Sequence, residues 1–186
     1  NGASKGLLAV AAIVLVVLLL GIGSYNSLVT ARETVDSSWS NIDAYLQRRA
    51  DLIPNLVNSV KGYMEHEKGV VDAIAKSREQ LMGAKTVEEK AKADAALSKA
   101  VGALMMVVEN YPDLKASENF TRLQDALEGT ENRVATARRD YNEAARSYNS
   151  KIKGFPGVIF AGSMGFEKVD YFESKEGVEN VPTVQF

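Results

Sequence analysis

Few residues in this chain could do chemistry, and the first of them is the single histidine, His66, in the string MEHEKG. A zinc site built on one helix needs a second histidine, as in H-E-x-x-H, and HEKGV lacks it. One imidazole flanked by Glu65 and Glu67 is a poor metal site, because zinc sites need three or four converging ligands. We interpret His66 as a solvated residue on a helix surface, and we expect neither a metal nor another cofactor.

Other catalytic patterns are equally weak. The chain has no cysteine and therefore no thiolate nucleophile and no disulfide framework. No serine is recognisably paired with the histidine, the carboxylates are scattered over polar helix faces, and the glycine-rich string GFPGVIFAGSMG lacks the lysine of a phosphate-binding loop. The sequence predicts a protein that is not an enzyme and has no catalytic residues.

One charged cluster in the string QRRADLIPNL stands out, comprising Arg48, Arg49 and Asp51. Arg49 occupies a position where the helical pattern calls for an apolar side chain, and an interior charge requires a partner. The alternatives are an ion pair within the bundle, an arginine lying across the surface by its apolar stem, and a docking point for a partner carboxylate or a lipid phosphate. Pro54 and Tyr111 are further candidates for interaction.

Long helices must position these side chains, because apolar residues recur every seven positions along three lines. The first two are Leu28, Val35, Ile42, Leu56 and Tyr63, which Arg49 interrupts, and Trp39, Leu46, Ile53 and Val60. The third is Phe120, Leu127, Val134, Tyr141, Tyr148 and Phe155. The pattern predicts an all-α protein with an antiparallel up-and-down helical bundle over residues 25–153. Thr86 and Glu89 have the spacing of a capping box, which predicts a helix start there.

The number of helices depends on Pro54, because an interior proline removes a backbone hydrogen bond and clashes with the preceding turn. A turn at residues 49–54 gives four helices, at about 25–50, 54–82, 87–110 and 117–153. A kink leaves three long helices, with the segment that follows them at the far tip. We favour four, because the chain then returns to its start and the segment FPGVIFAGSMGF lies beside Tyr25 at the bilayer surface.

Residues 7–23, LLAVAAIVLVVLLLGIG, carry no charge. These 17 residues make about 25 Å of helix, and Gly6 and Tyr25 extend it to the ~30 Å of a hydrocarbon core. The run is apolar on all sides, as a helix facing lipid must be. It predicts a transmembrane helix, with residues 1–24 as the membrane anchor. The residues chosen to represent the span are Leu7, Val10, Ile13, Leu15, Val17, Leu19 and Ile22.

A cleaved signal peptide is the competing interpretation of this segment. Its apolar stretch usually has about 7–15 residues and ends at a small-residue cleavage site, and SYNSLVTARETV offers no strong site of that kind. Lys5 precedes the segment and Arg32 follows it, so the balance of basic residues predicts no orientation.

The charge balance of the chain argues against nucleic acid as a partner. With 22 Lys and Arg against 24 Asp and Glu, no basic surface favours binding of nucleic acid, and we do not expect it as a partner.

Residues 154–186 form an irregular apolar tail, in which VDYFESKEGVENVPTVQF could pair as short extended segments. Phe155, Phe160 and Phe166 are its candidate contacts with a membrane or a partner.

Three groups of residues together resemble the LemA family over residues 25 to about 173. They are QRRADLIPNLVNSVKGYMEHE, ENYPDLKASENFTRLQDALEGTENRVATARRDYNEAARSYN, and the closing FPG…GF…YFE. The resemblance implies a single N-terminal membrane span, a soluble antiparallel helical bundle and no established biochemical activity. Descriptions of the family tend to place the short N-terminus outside the cell and the bulk of the chain in the cytoplasm.

These observations favour a non-enzymatic scaffold or adaptor anchored in the cell membrane and associating with copies of itself. The expected partners are membrane lipids, a second copy of the chain and a membrane protein. One alternative is an adaptor specific for one membrane protein. The other is a hydrolase, or a bundle that binds a metal or a ligand, using the scattered carboxylates and His66.

Overall fold

The structure, a computed structural model, describes residues 2–173 of the 186-residue chain, with side chains from Ser4 onward. It has four long helices over this range: α1 (Gly2–Lys61), α2 (Lys68–Gly83), α3 (Val87–Val108) and α5 (Glu118–Lys153). A 3-10 turn (Glu65–Glu67) and the short helices α4 (Pro112–Lys115) and α6 (Gly157–Phe160) complete it. The predicted all-α class is confirmed. Residues 169–173 of the predicted extended segment VDYFESKEGVENVPTVQF are described and form no strand, and its remainder, VPTVQF included, lies outside the described residues.

The predicted turn at residues 49–54 is wrong. Helix α1 continues through Pro54 to Lys61, and the chain turns at residues 62–67 instead. Four long helices still result over residues 2–173, because α1 ends before Gly62 and the 3-10 turn, about three turns later than expected. The proline is tolerated inside α1 because another side chain replaces the backbone hydrogen bond that it removes, as described below.

Contacts divide the chain into two compact units. The first unit joins the chain up to Trp39 with Tyr141–Val169, and the second joins Ser40–Asp140 with the segment that begins at Asp170. Helices α1 and α5 contribute residues to both units. Each unit has its own buried side chains.

Most of the buried apolar side chains that α1 and α5 contribute to the second unit lie on the predicted lines, namely Ile42, Leu46, Ile53, Leu56 and Val60 from α1, and Phe120, Leu127 and Val134 from α5. Helix α2 adds Ile74 and Leu81, and α3 adds Leu97, Val101 and Leu104. Burial of each large apolar side chain contributes about 1.5–3 kcal/mol. Tyr63 departs from its line and is 46% exposed, because it follows the end of α1.

In the first unit, α1 and α5 pack antiparallel. The Trp39 and Tyr141 rings have centroids 5.6 Å apart, and the Arg32 guanidinium carbon lies 5.8 Å from the centroid of the Tyr148 ring. The residue number therefore rises along α1 as it falls along α5. Phe155, the last member of the third line, is 72% exposed because α5 has already ended at Lys153.

A capping box opens α3, as predicted. Glu89 N donates to Thr86 Oγ1 at 3.1 Å, and Glu89 Oε2 accepts from Lys85 N at 2.8 Å and from Thr86 N at 3.1 Å. These donors, Lys85 first, lower the pKa of Glu89 below its ordinary value. Because the folded pKa is the lower one, the stability that Glu89 contributes is lost as the pH falls through that value.

Thr86→Ala is expected to lower the free energy of unfolding by about 1 kcal/mol, because it removes the acceptor for an unpaired N–H of the first turn. Urea unfolding followed by circular dichroism measures the change. Thr136→Ala is the matched control, since that threonine is exposed within α5 and caps no helix start. Equal losses in the two variants would contradict the assigned role of the cap.

Candidate functional site

The Arg49 centre is a buried ion network in the second unit. Arg49 projects from α1 and is 1% exposed. Its Nη1 donates to Asp94 Oδ1 at 2.5 Å, its Nη2 donates to Ser98 Oγ at 2.8 Å, and the same Nη2 lies 3.8 Å from Glu131 Oε2. Asp94 and Ser98 are one turn apart on α3, and Glu131 is on α5. The guanidinium therefore connects three helices, which favours the ion pair within the bundle over an arginine lying across the surface.

The electrostatics of this centre are set by burial. Burial raises the pKa of Asp94 above its ordinary value, and the positive charge of Arg49 opposes that rise. Arg49 Nε is buried and has no hydrogen-bond partner within residues 2–173. Arg49, Asp94, Ser98, Glu131, Arg138 and Phe172 are among the residues around an adjoining cavity of about 300 Å³. Since Asp94 is already bound to Arg49, the arrangement suits holding helices in register better than transferring a proton.

The other charged residues of the predicted cluster do not join the centre. Arg48 and Asp51 are exposed on α1. Asp51 accepts a hydrogen bond from Gln47 Nε2 at 2.9 Å, four residues earlier on the same helix. Arg48 and Asp51 are therefore close to Arg49 in sequence but take no part in its ion network.

Sequence reasoning missed Asp94, although a signal was present. Asp94 stands seven residues before Val101 and fourteen before Val108, and both valines are buried. It therefore interrupts an apolar seven-residue line, as Arg49 does on α1. Two interruptions of opposite charge on two lines are the pattern that an internal ion pair leaves in a sequence.

Pro54 is linked to a second arginine through one carbonyl group. A proline at position 54 has no N–H to donate to the carbonyl oxygen of Ala50, four residues earlier. Arg78 Nε, from α2, donates to that oxygen at 2.9 Å. Ala50 is fully buried, so this hydrogen bond satisfies a carbonyl group that water does not reach. This hydrogen bond lies within the bundle, and an interaction of Pro54 with a partner stays a prediction.

Arg78→Ala is expected to reduce stability by about 1–3 kcal/mol, because it leaves the buried Ala50 carbonyl without a donor. In a Pro54→Ala background the new backbone N–H can donate to the same oxygen, so the loss should shrink. A double-mutant cycle by urea unfolding measures the coupling, expected at about 1 kcal/mol or more. Lys76→Ala, an exposed charge removal on α2, is the control. Additive losses for Arg78 and Pro54 would refute the link.

The glycine-rich tail segment packs against α1 in the first unit. A methyl group built on Gly21 would lie 3.5 Å from the Phe160 ring, and the Tyr25 and Phe166 rings meet edge to face with centroids 5.8 Å apart. The expectation that the segment lies beside Tyr25 is confirmed. An apolar groove of about 350 Å³ adjoins these contacts, lined by Val17, Leu18, Gly21, Ile22, Tyr25, Phe160 and Met164.

Two contacts hold this segment to α5. Asn149 Nδ2 donates to the Val169 carbonyl oxygen at 2.9 Å, and Asn149 Oδ1 accepts from Val169 N at 2.9 Å. Gly157 approaches α5 so closely that a Cβ there would overlap the carbonyl oxygen of Lys151. The segment is therefore fixed at both ends of α6, while Phe155 at its start remains exposed.

Tyr111 and His66 lie outside both of these sites. Tyr111 N donates to the Val108 carbonyl oxygen at 2.9 Å, in the turn that leads from α3 into α4. His66 is exposed on the 3-10 turn. Within residues 2–173, no three His, Asp or Glu side chains are grouped closely enough to hold a metal ion.

Helix α1 is long and apolar enough near its start to cross a membrane. In its most apolar 18-residue window the mean hydropathy is 2.9, and 6% of the residues are buried. All seven residues chosen to represent the span are exposed: Leu7, Val10, Ile13, Leu15, Val17, Leu19 and Ile22.

Comparisons with known proteins identify the family. The LemA family model matches residues 38–186. Magnetosome protein MamQ 2 of Paramagnetospirillum magneticum is 32% identical, over 81% of this chain and 65% of that protein. Magnetosome protein MamQ of Magnetospirillum gryphiswaldense is 30% identical at the same coverage, and Protein LemA of Metamycoplasma hominis is 28% identical over 83% of this chain and 71% of that protein. The chain thus spans 65% of the length of these magnetosome relatives. The chain belongs to the LemA family.

Proposed function

We propose that this chain is a single-pass membrane protein whose N-terminal helix anchors a non-catalytic helical scaffold. The observation that carries the proposal is the exposure of the apolar start of α1. In its most apolar 18 residues, whose mean hydropathy is 2.9, only 6% of the residues are buried. A core helix of a soluble protein would bury one face of such a segment. A helix that is apolar on all sides is stable when it is surrounded by lipid.

The contact between Gly21 and Phe160 supports retention of the segment in the working protein. Gly21 belongs to the apolar run, and Phe160 packs on it. Cleavage just after residue 23 would leave Phe160 without this neighbour and interrupt the continuous helix α1. Tyr25, just past the run, is an aromatic residue of the kind that favours the membrane interface.

A scaffold role is supported by the nature of the Arg49 centre. Its carboxylate and guanidinium are bound to each other and hold helices together, rather than facing a substrate. The names of the relatives denote no reaction. We further propose that copies of the chain associate through exposed apolar side chains of the second unit, such as Tyr63, Met82 and Met106. An adaptor for one membrane protein would use the same surface.

The test uses the full chain expressed in bacteria. We expect it to remain in membranes washed with alkaline carbonate, and the mass of the intact protein to include residues 1–23. Light scattering in detergent should then give a mass above that of one chain. Release by carbonate, or a mature chain that begins after residue 23, would refute the anchor. A strict monomer would refute self-association, and co-purification of one membrane protein would favour the adaptor.

A further inference from the structure

A groove of about 570 Å³ opens in the first unit between α1 and the end of α5. Its lining residues are Leu19, Leu20, Gly23, Ser24, Ser27, Leu28, Ser147, Ser150, Lys151, Gly154, Phe155, Pro156 and Gly157. The lining contains one cation, four hydroxyl groups and no carboxylate. This composition suits a ligand that carries a negative charge and accepts hydrogen bonds.

The lining changes along α1, where the apolar pair Leu19 and Leu20 precedes the hydroxyl-bearing Ser24 and Ser27, with Leu28 next to Ser27. Because α1 and α5 are antiparallel here, Ser27 of α1 lies toward the end that holds Ser147 and Lys151 of α5. Leu19 and Leu20 are about two turns back along α1 from Ser27, toward the α6 segment. The groove therefore runs from a basic, hydroxyl-rich end to an apolar end.

The position of the groove along α1 matches the boundary of a bilayer. With the hydrocarbon span ending at Gly23, Leu19 lies about 6 Å inside that limit and Ser27 about 6 Å outside it. The headgroup region occupies about 5–8 Å on each side of a ~30 Å hydrocarbon core. The basic end thus falls at the depth of lipid phosphates, and the apolar end at the depth of acyl chains.

We propose that this groove binds one anionic phospholipid, with the phosphate against Lys151 and the serine hydroxyls and an acyl chain along Leu19, Leu20 and Phe155. The site rests on the proposed membrane anchoring of α1. Lys151 forms no ion pair with another residue of the described range, so its charge is available to the lipid phosphate. The close approach of Gly157 to the Lys151 carbonyl fixes the α6 segment as one wall.

The test measures lipid bound to the full chain in detergent micelles that contain equal amounts of phosphatidylglycerol and phosphatidylcholine. Mass spectrometry of the intact protein should show one retained phosphatidylglycerol in preference to phosphatidylcholine. Lys151→Glu should weaken that binding about tenfold, because it replaces an attraction to the phosphate by a repulsion. Lys153→Glu, the same charge change on an exposed neighbour outside the groove lining, should change it less than about twofold. Circular dichroism checks that both variants fold.

Three results would overturn the site: equal retention of the two lipids, equal losses in the Lys151 and Lys153 variants, or competition by glycerophosphoglycerol as strong as by the intact lipid. Competition of that strength would mean that the groove binds a free phosphodiester and does not need an acyl chain. Loss of lipid selectivity in a chain that still resists carbonate extraction refutes the site and leaves the anchor standing. Extraction of the chain by carbonate refutes both.

Discussion

Arg49→Met is expected to reduce the free energy of unfolding at pH 7 by about 3–5 kcal/mol, because it leaves the buried carboxylate of Asp94 without its counter-charge. The variant also loses the hydrogen bond from Arg49 to Ser98 and the ion pair between Arg49 and Glu131. Urea unfolding of the full chain in a nonionic detergent, followed by circular dichroism, measures the change. Arg48→Met is the matched control, and we expect it to alter stability by less than about 0.5 kcal/mol, because Arg48 is exposed.

The cost of Arg49→Met should depend on pH in a defined direction. Burial already raises the pKa of Asp94, and removing Arg49 takes away the charge that opposes the rise. A group whose folded pKa exceeds its unfolded pKa contributes stability that is complete below the unfolded value and is lost as the pH rises through the folded value. The destabilisation should therefore shrink as the pH is lowered from 7 toward the ordinary range of a carboxyl group.

A double replacement separates the ion pair from the packing around it. Arg49→Met with Asp94→Leu removes both charges, and we expect it to recover most of the stability at pH 7, because neither charge is left buried without its partner. A loss in the double variant as large as in Arg49→Met alone would show that volume, rather than charge, governs the site. A loss that is the same at every pH would also contradict the assigned role of Asp94.

Two arginines in the apolar segment should release the protein from the membrane. Each arginine near the centre of a span costs about 2.5–3.5 kcal/mol on the insertion scale, so Ile13→Arg with Val17→Arg adds about 5–7 kcal/mol. We expect the double variant to move from the carbonate-resistant membrane fraction to the soluble or aggregated fraction. Immunoblotting of the fractions measures the distribution.

The control for this variant adds the same charges elsewhere. Met82→Arg with Met106→Arg places two arginines on exposed positions of the second unit, where Met106 is 77% exposed. We expect this variant to stay in the membrane fraction. If both double variants leave the membrane, a general effect of charge on folding is responsible. If neither leaves, the segment does not hold the chain by lipid burial.

The sequence alone settled those features whose causes are local. The seven-residue lines predicted most of the buried apolar side chains of α1 and α5, with Tyr63 and Phe155 as exceptions beyond the helix ends. Thr86 and Glu89 predicted the start of α3, because capping depends on residues within one turn. The all-round apolar character of residues 7–23 predicted a candidate span for the same reason. The quoted strings also placed the chain in the LemA family, which the comparisons confirm.

The packing of the helices against one another determined which side chains from distant segments pair. Arg49 and Asp94 are 45 residues apart, and although each interrupts an apolar line, only the packing of α1 against α3 makes them partners. Pro54 was expected to turn the chain because α1 by itself cannot replace its lost hydrogen bond, whereas Arg78, 28 residues from Ala50, supplies the donor. The groove around Lys151 likewise exists only where α1 and α5 meet. Local periodicity fixes which face of a helix is buried, but the side chain that meets a given group on that face is set by the packing of distant segments.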